Sequence, residues 1–133
     1  MYSVGVARRF AAAHFLINAD GDTDWGAEGE LHTHTYRLEL QLQGAQLDRH
    51  GFLIDITAVE ATADAAVSRY AGKVLNDLPE LSGCNPSVER LAALFCRTCS
   101  QALPAATVQR VTVRLWEKPD AWASYVIERP ETP

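Results

Sequence analysis

The chain has 133 residues, 47% hydrophobic and 22% charged, which suits one compact domain over 1–133 and excludes a disordered segment. Twelve Lys plus Arg against seventeen Asp plus Glu leave a formal charge of −5, which argues against a general nucleic-acid or anionic-membrane surface. No apolar run is long enough to span a bilayer, and MYSVGVARRF lacks the basic-then-apolar order of a secretory leader, so a cytoplasmic protein is expected.

Residues 2–16 read as a strand, with Tyr2, Val4, Val6 and Phe10 on one parity and a small-residue stretch, Ala11 to Ala13, before His14. The acidic, Gly- and Asp-rich segment 17–30 reads as a long loop. Alternation returns over 31–44, where Leu38, Leu40 and Leu42 oppose Arg37, Glu39, Gln41 and Gln43, the pattern of a half-buried strand. After a turn at 45–51 and a short extended piece at 52–54, a helix is expected from Asp55 or Thr57. Its stripe is Ile56, Val59, Ala63, Val67 and Tyr70; Asp55 or Thr57 can cap it, and Thr57 with Glu60 fits a capping box. Residues 72–86 read as a connection. A second helix begins near Ser87, buries Val88, Leu91, Phe95, Cys99 and Leu103, and stops at Pro104. Strands over 110–116 and 123–129 flank the turn EKPDAW. The predicted class is α+β in ββααββ order: an antiparallel four-stranded sheet with two helices on one face. Its open edges favour oligomerisation.

Cys96 and Cys99 form a CxxC inside a helical pattern with no second pair, so structural thiols are the expected reading, and Cys84 is an ordinary loop thiol. The histidines carry more chemistry. His32 and His34 stand two apart on a strand, so both imidazoles leave the same face with backbone positions about 7 Å apart. His14 can arrive from the neighbouring strand, and three neutral imidazoles with one open position suit a catalytic Zn2+. By itself an HxH on a strand also fits solvated or hydrogen-bonded imidazoles. His50 lies in the LDRHG turn and reads as exposed.

Several spaced segments resemble one family. AAAHFL, GELHTHTYRLEL, GFLID, NPSVERLA and VRLWEKPDAWASY are similar, in the same order and over nearly the whole chain, to the 6-pyruvoyl- and 6-carboxy-tetrahydropterin synthases (QueD-like). That resemblance implies the tunnelling fold (T-fold), homo-oligomers that are commonly hexamers with active sites between subunits, and a pterin-like small-molecule substrate. It implies Zn2+ ligation by His14, His32 and His34. It also implies a pterin clamp at Glu117, whose carboxylate accepts two parallel N–H donors, and a hydroxyl at Ser87 where the family has threonine. Without the resemblance, Glu117 reads as a solvated hairpin residue and Ser87 as a helix cap.

The departures from the family are equally specific. Glu28 occupies the place of the family's catalytic cysteine, and Ala71 and Gly72 occupy the place of its Asp-His pair. A divergent branch with glutamate at that place cleaves the dihydroneopterin side chain to a hydroxymethyl pterin, which implies Glu28 as general base; its alternative is one more acidic residue on the loop. Two functional readings follow: a zinc-dependent lyase or aldolase acting on a dihydropterin side chain, or a zinc-containing pterin- or purine-binding homologue without the usual activity. A third, zinc held only to stabilise an oligomer, leaves Glu117 unexplained. Trp25 and Trp122 are candidates to border a flat ligand or a subunit contact.

Overall fold

In the computed structural model, which describes residues 1–130, four strands form one antiparallel sheet in the order β1-β2-β3-β4. The strands are β1 (Tyr2–His14), β2 (His32–Gly44), β3 (Arg110–Lys118) and β4 (Ala121–Glu128), and the helices α1 (Ile56–Tyr70) and α2 (Val88–Ala102) lie between β2 and β3 in sequence. This is the predicted ββααββ order with both helices on one face. The period-two pattern explains the layering. Tyr36, Leu38, Leu40 and Leu42 of β2 and Val111, Val113 and Leu115 of β3 are all at most 1% exposed beneath the helices. The intervening Arg37, Glu39, Gln41 and Arg114 turn to the other, polar face. Each fully buried aliphatic or aromatic side chain contributes about 1.5–3 kcal/mol, so this face is the main source of stability.

α1 is capped by Asp55, whose side chain accepts a hydrogen bond from Thr57 N. The expected Thr57–Glu60 box does not form, because Glu60 instead faces Arg8 of β1 at 3.3 Å. Ile56, placed on the inner stripe by its spacing, is 50% exposed, whereas Val59 and Ala63 of the same stripe are fully buried. Ser87 caps α2 by accepting from Arg90 N at 3.2 Å. Its apolar side is the predicted one, with Leu91, Phe95 and Cys99 fully buried. Burial pushes the Cys99 thiol up to about 12 and raises that of Cys96, so both are poor nucleophiles at neutral pH.

Other boundaries move for local reasons. β1 ends at His14 rather than at residue 16, because Phe15 and Ile17 turn their backbone groups to Asn76 and Asn85. Residues 52–54 form a bend instead of an extended piece, and β4 starts at Ala121, two residues early, by pairing with Lys118 across a register shift. The connection 72–86 contains two single-turn helices, Leu75–Asp77 and Pro79–Leu81, that bury Leu75 and Leu81.

Gly44 closes β2 where another segment crosses it. A Cβ there would lie 2.0 Å from Thr107 O and 2.8 Å from Leu53 Cδ1. Because the nearer atom is backbone, Gly44→Ala is expected to cost about 1–3 kcal/mol, the usual range for overpacking. A lowered midpoint in urea would show it; an unchanged midpoint would mean that the crossing relaxes without cost.

Candidate metal centre

The sheet register brings the three predicted histidines together. β1 and β2 pair so that His14 is opposite His32 and Ala12 opposite His34, which puts all three imidazoles on the helix-covered face at one end of the sheet. Their ring centroids lie 4.5 Å (His14–His32), 5.0 Å (His14–His34) and 4.9 Å (His32–His34) apart. The apolar core runs up to them: Phe10 stacks on Tyr36 at 5.1 Å, and Tyr36 meets His34 at 5.8 Å.

Two of the rings are oriented by backbone carbonyls. His14 Nδ1 donates to Pro86 O at 3.0 Å, and His32 Nδ1 donates to Glu30 O at 2.7 Å. A carbonyl only accepts, so these contacts place the proton on Nδ1 and leave the Nε2 lone pair of the neutral ring free. The Nε2 atoms of His14, His32 and His34 are all buried and none has a hydrogen-bond partner. Burial, reinforced by the two neighbouring histidines, lowers the pKa of His14 against the opposing effects of Pro86 O and Glu117. The neutral ring, the form that binds metal, is therefore favoured.

Glu28 completes the cluster from the acidic loop. It sits in a single helical turn, Gly26–Gly29, tied to the end of β1 by Leu16 N donating to Glu28 O at 2.9 Å. Trp25 supports the same loop by donating its indole N–H to Ile17 O at 2.9 Å. One donor atom from each of His14, Glu28, His32 and His34 lies within 4.8 Å of all the others. This set of imidazoles and one carboxylate, with orphaned buried nitrogens, fits a Zn2+-class ion.

Glu117 lies outside that cluster but close to it. Its negative charge raises the pKa of His14 and adds to the burial that raises that of Tyr36. The residue follows the stretch in which β3 pairs with β2, which ends at Arg37 opposite Trp116. A cleft of about 560 Å³ opens there, lined by His34, Tyr36, Arg37, Trp116, Glu117 and Lys118, among others. Ser87 is absent from that lining, and the hydrogen bond seen at its hydroxyl is the helix cap. His50 is exposed in its turn, as expected. Trp122 is 50% exposed and packs with Trp116 and Arg114 on β3.

Sequence reasoning assigned no role to the residues that hold the site in place. Asn76 accepts from Phe15 N at 3.0 Å and donates to Phe15 O at 2.9 Å, while Asn85 accepts from Ile17 N at 2.6 Å. These bonds lock the segment after His14 against the connection and the start of α2. Asn76 and Asn85 are side chains whose donors and acceptors match a backbone, but only the fold shows which backbone they meet. Gly72 donates its N–H to Ala11 O at 2.7 Å and, with Ala71, brings no titratable group to this end of the molecule.

Known proteins resemble this chain in family and fold. The family model for 6-pyruvoyl tetrahydropterin synthase matches residues 3–128. No curated protein matches the sequence at a significant level. The 6-pyruvoyl tetrahydropterin synthase of Caenorhabditis elegans superposes with a TM-score of 0.77 at 17% identity, covering 93% of this chain and 94% of that one. The Plasmodium vivax enzyme gives 0.74 at 16% identity, covering 97% and 100%. A variant of the P. vivax protein described as a glutamate-to-alanine mutant of a catalytic residue gives 0.72 at 16%, again covering 97% and 100%. The four-stranded sheet with its two helices is the T-fold of these structures, and the chain belongs to the 6-pyruvoyl tetrahydropterin synthase family.

Proposed function

We propose that this protein is a zinc-dependent lyase of the aldolase type that shortens the polyol side chain of a dihydropterin. The observation that carries the reading is the convergence of three buried, unpartnered Nε2 atoms and the Glu28 carboxylate beside a cleft that contains Glu117. His14, His32 and His34 are the proposed ligands, and a bound Zn2+ supplies Lewis acidity toward side-chain hydroxyls. Glu117 accepts the amino and ring N–H groups of the pterin and fixes its orientation. Glu28 takes the proton from the hydroxyl on the second side-chain carbon. That oxygen becomes an aldehyde carbonyl as the bond between the first two carbons breaks, and the electron pair passes to the ring imine. Returning the proton leaves a hydroxymethyl-dihydropterin and a two-carbon hydroxyaldehyde. That a glutamate is described as catalytic in the P. vivax protein supports this role.

Ser87, one residue beyond the carbonyl that orients His14, is a proposed substrate contact through its hydroxyl. The active protein is proposed to be a cytoplasmic homo-oligomer, a hexamer with sites between subunits, in which the 1–133 domain is the repeating unit. Both edge strands, β1 and β4, are open to pairing, and residues 32–36 of β2 extend beyond the stretch paired with β3. Among the described residues no helix is long and apolar enough to cross a membrane. One observation favours a second reading, a zinc-containing pterin- or purine-binding protein without turnover: Ala71 and Gly72 offer no proton relay.

Incubating the zinc-loaded protein with 7,8-dihydroneopterin or its triphosphate, with products followed by mass spectrometry, separates the two. A hydroxymethyl-dihydropterin formed by the parent and lost in Glu28→Gln is the expected result. Measurable binding of either pterin without product selects the binding protein, and full turnover by Glu28→Gln excludes Glu28 as base.

A further inference from the structure

We infer that Glu28 is itself a fourth ligand of the ion in the pterin-free protein, closing a three-histidine, one-carboxylate shell. This rests on the proposed metal site and adds to it. His32 Nδ1 is committed to Glu30 O, so the Nε2 atom of the neutral ring presents a lone pair. Glu28 Oε2 stands 3.2 Å from that Nε2, yet Nε2 has no hydrogen-bond partner. A carboxylate oxygen and an imidazole lone pair repel one another, and a cation bound by both removes the conflict. The spacing fits: with metal–ligand bonds of about 2.0–2.1 Å, the edge of a tetrahedral zinc site is about 3.3 Å.

Leu16 N holds Glu28 O, and Asn76 and Asn85 hold Phe15 and Ile17 on either side of Leu16. The loop carrying Glu28 and the strand carrying His14 are therefore tied to one another, as two ligand-bearing segments of one shell must be. The Glu28 side chain is 61% exposed, so an incoming pterin hydroxyl has room to displace it. Its service as a base then begins with its release from the ion, which couples substrate entry to activation of the carboxylate.

The test uses Zn2+ alone, titrated against a chromophoric chelator, with the parent, Glu28→Gln, Glu28→Ala and His32→Ala proteins. Loss of an outer-shell partner commonly weakens metal binding about 10- to 100-fold, so both Glu28 variants are expected to lose at least about tenfold. A crystal structure of the zinc-loaded, pterin-free parent is expected to place a Glu28 oxygen about 2.0–2.2 Å from the ion. Parent-like affinity in both Glu28 variants, with zinc binding lost in His32→Ala, overturns the fourth-ligand role and leaves the histidine site standing. Weakened binding with a water in place of the carboxylate also overturns it, because Glu28 then acts through its charge alone. Retention of zinc by His32→Ala removes the histidine site and this inference together.

Discussion

His32→Ala is expected to lower zinc affinity by about 100-fold or more, at the upper end of what loss of an outer-shell partner alone produces. The substitution removes one of three converging Nε2 atoms, and the hydrogen bond from His32 Nδ1 to Glu30 O goes with it. Metal content after dialysis, read by mass spectrometry, checks it directly. Zinc binds the folded state, so it should also raise the thermal midpoint of the parent and leave that of His32→Ala nearly unmoved. His50→Ala, at an exposed turn, serves as the control with unchanged zinc content. Unchanged metal in His32→Ala would exclude the three-histidine assignment. His32 is the better first target than His14, because His14 is only 3% exposed and also binds Pro86 O, so its loss would disturb packing as well.

The second large effect concerns the pterin. Under the proposed function, Glu117→Ala is expected to weaken dihydropterin binding by about 1.5–3 kcal/mol, roughly 10- to 150-fold, the range for hydrogen bonds to a charged group. Zinc content should stay at the parent level, since Glu117 lies outside the cluster of metal-competent side chains. Glu117→Gln, which keeps one acceptor but replaces the other with a donor, should retain an intermediate affinity. The measurement is calorimetric titration of 7,8-dihydroneopterin into zinc-loaded protein. Equal affinity in Glu117→Ala would place the clamp elsewhere, with the hydroxyl oxygens of Thr33 and Thr35 in the same cleft as the next candidate acceptors.

Much of the architecture was legible because its signals are local. Leu38, Leu40 and Leu42 alternate with polar residues, and Leu91, Phe95 and Cys99 recur at helical spacing, so the direction of each face follows from backbone periodicity. The errors fell where one segment meets another. Thr57 and Glu60 satisfy a capping pattern, but Arg8 from β1 takes Glu60, and Asp55 already supplies the cap. Ile56 fits the stripe of α1 but is half exposed. The partner that takes Glu60 stands 52 residues away, which no local pattern encodes.

The candidate site divides in the same way. Strand parity alone puts His32 and His34 on one face, and residue type alone puts a carboxylate at position 28 and no titratable group at positions 71 and 72. These are matters of residue type and strand parity. The folded chain adds the pairing of His14 opposite His32, the Pro86 O and Glu30 O contacts that orient two of the rings, and the approach of the Glu28 carboxylate to 3.2 Å from His32 Nε2. It also adds the grip of Asn76 and Asn85 on the intervening backbone. The physical reason is range. Side-chain direction along a strand repeats every second residue and is written locally, whereas convergence on one ion requires strand register, a loop anchor and a helix start, set by contacts across the whole core.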